Sequence, residues 1–298
     1  MNIDAAYRRP TGWWLWVMAA RPKTLTIAVA PVLAGSALAV ALGQAFRPGP
    51  MVAALAGAIL IQAGTNLHND VADALGGGDR PLRPGPPRIT ALGWAPPGRV
   101  RAAAFLCFGL AAVVGLYLAV VGGWPIVALG LLSLLAGWAY SGGPMPISHT
   151  MLGEVFVLAF FGIGAVAGSA WLQGLPADWN ALVLGLAIGF PAAAVLTVNN
   201  YRDAEADRLA GRHTLAMRIG PAASRHVYGA LMLLPFALLP LLPPGASAGV
   251  LALPLAVLCI RDFRRLPPGP AFNRILAATA RTQLALAAST SLGMLVRA

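Results

Sequence analysis

The sequence predicts an all-α membrane protein in which about nine transmembrane helices surround a central cavity that opens to the cytoplasmic side. Three observations favour this fold class. The mean hydropathy is +0.73, and hydrophobic residues make up 58% of the 298 residues, whereas charged residues make up only 10%. The apolar residues form near-continuous runs, each close to the roughly 20 residues that a helix needs to cross a bilayer. Residues 1–298 are therefore expected to form a single transmembrane domain.

The predicted elements follow the apolar runs in chain order. The opening segment, residues 1–20, carries Trp13, Trp14 and Trp16, and such aromatic residues favour a helix that lies in the membrane interface. The nine predicted spans are residues 24–43, 51–72, 99–120, 124–140, 152–173, 180–200, 223–242, 246–262 and 275–296.

The basic residues orient these spans. If the N-terminal segment lies inside, every Lys and Arg falls in a cytoplasmic segment except Arg47, Arg281 and Arg297. The positive-inside rule therefore predicts a multi-pass protein of the cytoplasmic (inner) membrane. This topology also explains the net charge of +11, and no basic run with interleaved aromatic residues indicates a nucleic-acid partner.

Six of the ten carboxylates lie in two short clusters, each where an apolar run ends. The clusters comprise Asp70, Asp73 and Asp79 at the end of the second span, and Asp203, Glu205 and Asp207 after the sixth. In each cluster an Asn precedes an Asp by four residues, as in Asn66–Asp70 and Asn199–Asp203. On a helix such spacings place the side chains on one stripe. Because ionised groups at a membrane boundary are costly, the clusters predict a functional site that faces the cytoplasm.

Facing stripes of amide and carboxylate oxygens suit Mg²⁺, a hard cation that also binds phosphate oxygens. We predict one or two Mg²⁺ ions, with Asn66, Asp70, Asp73, Asp203 and Asp207 as ligands and the four Asp residues as the catalytic set. The predicted charge partners of a bound diphosphate are Lys23, Arg202 and Arg212. Metal and Arg stabilise a leaving diphosphate, so no protein nucleophile is required. The alternative is that these acids only cap helices or neutralise Arg, which would not require an Asn in both clusters.

The same residues resemble a known family. Residues 66–79, NLHNDVADALGGGD, and residues 199–220, NNYRDAEADRLAGRHTLAMRIG, are similar to the two aspartate-rich motifs of the UbiA superfamily of intramembrane aromatic prenyltransferases. Residues 21–35, RPKTLTIAVAPVLAG, resemble the opening helix of that superfamily. The YSGGPMPISH segment that begins at Tyr140 and the GPPRIT sequence at residues 85–90 resemble the 1,4-dihydroxy-2-naphthoate prenyltransferases of menaquinone biosynthesis. The resemblance covers about residues 21–225.

The resemblance implies a reaction. A polyprenyl group would pass from polyprenyl diphosphate to 1,4-dihydroxy-2-naphthoate, with Mg²⁺ as cofactor and with loss of CO₂ and diphosphate, to give a demethylmenaquinone precursor. The implied diphosphate-binding residues are Lys23, Asn199, Asn200, Arg202 and Arg212. The implied acceptor pocket contains His68, Tyr140 and Glu154, and the lipid bilayer is the implied surroundings of the prenyl chain.

Simpler roles stay open for some of these residues. Tyr140 also fits an interfacial aromatic residue, and Glu154 also fits an acid at a helix N-terminus. The chain departs from the family pattern at residues 211–214, where Gly-Arg-His-Thr replaces Gly-Lys-Arg-Thr, and at Val71 and Ala72, where the family tends to have an aromatic residue. Two alternative functions therefore remain: prenylation of another acceptor such as 4-hydroxybenzoate or homogentisate, and ion-coupled transport, for which the acids would lie near the middle of the membrane.

Overall fold

The computed structural model describes residues 9–76 and 85–298, and every regular element in these two ranges is helical. Ten α-helices follow in chain order: α1 (Trp14–Ala20), α2 (Pro22–Ala41), α3 (Pro48–Leu75), α4 (Pro97–Gly122), α5 (Trp124–Ala139), α6 (Gly153–Leu172), α7 (Trp179–Leu209), α8 (Leu215–Leu238), α9 (Leu253–Arg265) and α10 (Phe272–Arg297). Helix α6 contains one π-helical turn, Ala159–Gly164. Short 3₁₀ turns cover Ile147–His149, Leu239–Leu241 and Ala246–Ala252.

The helices confirm a multi-pass membrane protein. Seven helices in the described ranges are long and apolar enough to cross a membrane, namely α2, α3, α4, α6, α7, α8 together with Leu239–Leu241, and α9 together with Ala246–Ala252. Helix α5 has only 16 residues, and α10, which carries Arg274 and Arg281, is not among the seven. The number nine therefore stays a prediction.

Helices α3 and α7 are longer than the membrane requires. They contain 28 and 31 residues, which at about 1.5 Å per residue gives roughly 42 and 46 Å, compared with about 30 Å of hydrocarbon. The predicted sixth span, residues 180–200, ended nine residues too early because the charged residues 202–208 lower the hydropathy. The helix nevertheless continues to Leu209, since several of those charges form pairs on its surface or with neighbouring elements.

Two other predicted boundaries were wrong. Helix α8 begins at Leu215, eight residues before the predicted start, and it bends at Gly220, whose φ of 77° precedes Pro221. Within the described part of residues 1–20, only Trp14–Ala20 is α-helical. Trp13 and Trp14 are exposed and stacked, whereas the opposite face of this short helix packs against the end of α3.

Helix α7 forms the centre of the bundle. It packs against α2, α6, α8 and α10. Glycines bring α6 and α7 into close contact, since a Cβ on Gly162 would lie 2.5 Å from the carbonyl oxygen of Gly185. This contact fixes the two helices that carry Glu154 and Asn200.

Helix α5 leaves a gap in the bundle. It packs against α3 and α4 but makes few close backbone contacts with α6, which follows it in the chain. Leu129 bridges the two helices, because a Cβ on Gly168 would lie 2.5 Å from its Cδ2 atom. A cavity lies between α5, α6 and the rest of the bundle.

Candidate active site

The cavity runs through much of the apolar thickness of the bundle. Its volume is about 490 Å³, within the range of small-molecule sites. On α3 its lining extends from Ala54 to Asp73, which corresponds to roughly 28 Å along the helix. Most of the lining is apolar, and the polar residues lie mainly at one end, which we call the acidic end: Asn66, Asn69, Asp73, Arg88, Asn199, Asn200, Asp207 and Arg212.

Two equivalent pairs of side chains face the cavity at the acidic end. Asn66 and Asp73 lie on α3, and Asn200 and Asp207 lie on α7. Both pairs are seven residues apart, which is close to two helical turns, so both side chains of each pair point from the same helix face. The structure therefore brings the two predicted motifs together across one end of the cavity.

An ionic network joins the two motifs. The guanidinium of Arg212 donates to Asp73 Oδ1 at 2.6 Å and to Asp207 Oδ1 at 3.1 Å. Arg88 forms an ion pair with Asp73 Oδ2. These side chains are at most 8% exposed, so their charges are neutralised inside the protein, as buried charges require.

Asp70 has a different position from Asp73. Its two carboxylate oxygens accept the backbone N–H groups of Ile89 and Thr90, at 3.0 and 2.9 Å. Asp70 is 2% exposed and does not line the cavity. Its bonds hold the GPPRIT segment against α3, and that segment places Arg88 beside Asp73.

Asp203 is likewise turned away from the cavity. Both of its oxygens accept from Arg202, at 2.8 and 2.7 Å. Arg202 also donates to the side-chain oxygens of Asn199 and Asn273, at 2.6 and 2.7 Å. Neither Asp203 nor Arg202 lines the cavity, so this cluster connects α7 to the start of α10.

The amide groups of the two facing asparagines are held from behind. Asn66 donates its Nδ2 to the carbonyl oxygen of Ala20 and to Thr24 Oγ1, at 2.8 and 3.2 Å. Asn200 donates its Nδ2 to Glu154 Oε1 at 3.0 Å. In both residues the carbonyl oxygen Oδ1 is therefore the amide atom left for the cavity.

This set of oxygens fits Mg²⁺. The described residues contain no group of three or more acidic, His or Cys side chains that could hold a metal by itself. Mg²⁺ sites in proteins commonly use one or two carboxylates and complete their octahedron with water and substrate phosphates. Two carboxylates and two amide oxygens, close to Arg212 and Arg88, match that chemistry.

Three further predicted residues lie away from the cavity, in addition to Asp70, Asp203 and Arg202. Lys23 is exposed and is not part of the lining. His68 is buried between Phe105 of α4 and Gly142, and Glu154 lies behind Asn200. The predicted acceptor residue Tyr140 does line the cavity. Asp79 lies outside the described residues.

Two arginines that line the cavity, Arg88 and Arg21, were not predicted as site residues. Arg88 was quoted only as part of the GPPRIT sequence. Arg21 lines the cavity where Lys23 was expected, and it links α1 to α2 with a φ of 56°, a left-handed conformation that is uncommon for a residue other than glycine. An Arg directly before Pro22 at the start of an apolar helix was the available sequence signal.

A backbone contact ties two loops at the acidic end together. The backbone N–H of His213 donates to the carbonyl oxygen of His149 at 2.9 Å, so the loop before α6 is fixed to the loop that carries Arg212. Burial, assisted by the Arg212 guanidinium, lowers the pKa of the His149 ring below its usual value, and Asp73 opposes that shift.

The chain is similar to several known proteins. A model described as the UbiA prenyltransferase family matches residues 28–267. A Mycobacterium leprae (strain TN) protein named 1,4-dihydroxy-2-naphthoate octaprenyltransferase is 35% identical over 267 residues, which cover 89% of this chain and 90% of that protein. A Mycobacterium tuberculosis (strain ATCC 25618 / H37Rv) protein of the same name is 37% identical over 246 residues, 81% of this chain and 83% of that protein.

A solved structure has the same fold. A UbiA homolog from Archaeoglobus fulgidus bound to GPP and Mg²⁺ superimposes with a TM-score of 0.66 and covers 94% of this chain and 99% of its own. At 16% identity, this match establishes the shared fold.

Proposed function

Because this chain belongs to the UbiA prenyltransferase family and is an aromatic prenyltransferase, we propose that it transfers a polyprenyl group from polyprenyl diphosphate to 1,4-dihydroxy-2-naphthoate. The product is a demethylmenaquinone precursor, and CO₂ and diphosphate are released. The relatives from both Mycobacterium species carry a name that states this acceptor, and the alignment spans most of each protein.

The observation that supports the proposal most strongly is the pairing of Asn66 and Asp73 with Asn200 and Asp207 across the polar end of an apolar cavity. A prenyl diphosphate has the same division, with a charged head and a long apolar tail. The head fits the acidic end through metal and Arg, and the tail fits the apolar walls, where burial contributes roughly 25 cal/mol per Å².

The four facing side chains would hold Mg²⁺, as the Archaeoglobus fulgidus homolog, whose structure contains Mg²⁺ and GPP, suggests for this fold. Bound there, Mg²⁺ supplies Lewis-acid stabilisation of the leaving diphosphate oxygens. Arg212, Arg88 and Arg21 surround the same space and are proposed to neutralise the diphosphate charge. Asp70 and Asp203 are proposed to support the site indirectly. Asp70 fixes the segment that carries Arg88, and Asp203 fixes Arg202.

The proposed prenyl transfer breaks two bonds and forms one new carbon–carbon bond. The bond between C1 of the prenyl chain and the diphosphate oxygen breaks, and both electrons leave with the oxygen. The electron-rich ring carbon that bears the carboxylate attacks C1, and the bond between that ring carbon and the carboxylate then breaks to release CO₂. Its electron pair returns to the ring, so no proton acceptor is needed for this bond change.

The apolar tail needs a route to the lipid. The gap between α5 and α6 is the proposed route, because Val127 and Leu131 of α5 line the cavity and are exposed. The acceptor is proposed to enter from the acidic end, beside Tyr140. We place this end in the cytoplasm, in an inner membrane, because the positive-inside rule assigns the Arg-rich loops to that side.

The alternatives are less well supported. The acids lie in the last turns of α3 and α7, whereas a transporter that couples to an ion would place them near the middle of the membrane. The second alternative is another aromatic acceptor in the same fold. Val71 and Ala72, where the chain departs from the family pattern, do not favour it, since neither residue lines the cavity.

The proposed metal dependence is tested on purified protein with labelled prenyl diphosphate. Product formation is expected to stop in EDTA and to return with Mg²⁺. Asp73→Asn and Asp207→Asn are each expected to lose turnover by about 10² to 10³ while the protein still inserts and folds. Near wild-type rates in EDTA, or in both variants, would refute the two-motif site.

A further inference from the structure

Glu154 lies behind the cavity wall. It is 6% exposed and is not part of the lining, whereas its partner Asn200 is. The hydrogen bond from Asn200 Nδ2 to Glu154 Oε1, at 3.0 Å, is the contact that connects Glu154 to the site. A direct contact between Glu154 and an aromatic acceptor, as the sequence implied, therefore does not follow from this arrangement.

The carboxylate of Glu154 is buried in the first turn of α6. Its Oε1 atom accepts from Asn200, and Thr197 and the N-terminus of the helix also stabilise its charge. Of these contacts, the bond to Asn200 is the one that reaches the polar lining of the cavity.

The hydrogen bond decides which amide atom Asn200 presents to the cavity. A carboxamide has one accepting oxygen and one donating nitrogen, and only the oxygen can bind a cation. A carboxylate accepts but does not donate, so it selects the amide nitrogen and leaves Oδ1 towards Asp207. A residue that orients a metal ligand in this way typically affects metal affinity by 10-fold to 100-fold.

On α3, the amide of Asn66 is also oriented by hydrogen bonds from its nitrogen, but to different acceptors. Asn66 is held through the carbonyl oxygen of Ala20 and the hydroxyl of Thr24. A backbone carbonyl is fixed by the fold, whereas the acceptor of Asn200 is a side chain from α6. Of these two arrangements, only the second can be removed cleanly by substitution.

We propose that Glu154 is a positioning residue that orients Asn200 as an oxygen ligand for the divalent metal of the prenyl diphosphate site. This inference rests on the proposed function, which supplies the metal and the diphosphate. It assigns Asn200 to the metal rather than to the diphosphate alone, and it removes Glu154 from the acceptor pocket.

The test measures Mn²⁺ binding by electron paramagnetic resonance in the presence of geranyl S-thiolodiphosphate, an unreactive donor analogue. Glu154→Ala is expected to weaken Mn²⁺ binding by 10-fold to 100-fold. Glu154→Gln can still offer its Oε1 to Asn200, so its Mn²⁺ affinity is expected to stay within about 5-fold of wild type. The KM for the aromatic acceptor is expected to stay unchanged in both variants.

Glu205→Gln is the matched control. It removes the same charge from α7 beside the site, but Glu205 is exposed and paired with Arg208, so its Mn²⁺ affinity is expected to equal that of wild type. If Glu154→Ala does not fold, Glu154→Leu, which keeps the buried volume but offers no acceptor, takes its place, and either variant is also combined with Asn200→Asp. An Asp at this position presents oxygen in either orientation, so this double variant is expected to bind Mn²⁺ within a few-fold of wild type.

Unchanged Mn²⁺ affinity in Glu154→Ala, or a raised KM for the acceptor with normal Mn²⁺ binding, would overturn the inference. Failure of the proposed function is distinguishable from this result. If the wild type prenylates no naphthoate but its Mn²⁺ binding still depends on Glu154, the acceptor is wrong and the positioning role stands.

Discussion

Arg212 contacts both acidic motifs with one guanidinium. When no prenyl diphosphate is bound, the Arg212 guanidinium occupies the space between Asp73 and Asp207, where we propose that the metal binds. We therefore expect Arg212→Gln to bind Mn²⁺ without diphosphate more tightly than wild type does, because the two carboxylates then lose their internal counter-charge. Turnover is expected to fall by about 10² to 10³, since a stabiliser of the leaving group is lost.

Arg208→Gln is the control for that measurement, because Arg208 is exposed and pairs only with Glu205 among the residues that the structure describes. Titration with Mn²⁺ in the presence and absence of the unreactive prenyl diphosphate analogue gives the dissociation constant of the metal in each state. Equal affinity of wild type and Arg212→Gln for Mn²⁺ alone would contradict the role assigned to this guanidinium.

Asp70 gives a second prediction at the residue scale. In Asp70→Asn one oxygen becomes an N–H₂ group, so either Ile89 or Thr90 loses the acceptor of its backbone N–H. An unsatisfied buried donor costs about 1–3 kcal/mol, or roughly a tenfold to hundredfold rise in local opening. Hydrogen exchange in residues 85–95 is expected to accelerate, whereas Asp203→Asn should leave that segment at the wild-type rate. Wild-type exchange in Asp70→Asn would contradict the anchoring role.

The sequence singled out most of the polar residues that line the acidic end, but not which members of each motif face the cavity. The Asn-x-x-x-Asp spacing directed attention to Asn66 with Asp70, whereas the cavity is faced by Asn66 with Asp73. The difference arises because the 85–95 segment uses both oxygens of Asp70, and a contact between residues 19 and 20 positions apart has no local sequence signal. The same reason explains why Arg88 was missed.

At the scale of elements, we propose that the gap between α5 and α6 limits the length of prenyl tail that the cavity accepts. Gly130 of α5 lines the cavity, and a Cβ there would meet no atom within 4 Å. Gly130→Phe is therefore expected to fill part of the cavity and to lower kcat/KM for long donors by about tenfold or more, while that for geranyl diphosphate changes little. Each buried CH₂ of the donor that loses its place costs about 0.8 kcal/mol.

The control for this series is Gly109→Phe. Gly109 lies on the exposed side of α4, is not part of the lining, and also has open space around a Cβ. Competition between geranyl and longer prenyl diphosphates gives the ratio of their kcat/KM values directly. An equal effect of both substitutions on long donors would show that Gly130 does not limit the tail.

Element boundaries followed hydropathy well where charged residues lie only at a helix end and poorly where they lie further in. Helix α4 differs from its prediction by two residues at each end, because its charged residues, Arg99 and Arg101, lie in its first turns. Helix α7 extends beyond its prediction because Arg202 and Asp203 neutralise each other. The start of the eighth predicted span is a 3₁₀ turn, Ala246–Ala252, which a hydropathy profile cannot distinguish from an α-helix.

At the scale of the whole molecule, the orientation in the membrane is open to experiment. Leu209 is exposed at the acidic end, and Ala45 is exposed in the loop between α2 and α3 at the opposite end. In a background without Cys107 and Cys259, Leu209→Cys should react with an impermeant thiol reagent only from the cytoplasmic side, and Ala45→Cys only from the other side. The reversed pattern would place the site on the wrong face for a cytoplasmic acceptor.

The most direct test of the proposed reaction uses purified protein, Mg²⁺, polyprenyl diphosphate, and 1,4-dihydroxy-2-naphthoate labelled in its carboxylate. The account predicts that labelled CO₂ and prenylated product form in a one-to-one ratio. It also predicts that 4-hydroxybenzoate, offered alone, yields product near background. Faster turnover of 4-hydroxybenzoate, or a naphthoate product that keeps its labelled carboxylate, would contradict the assignment of the acceptor.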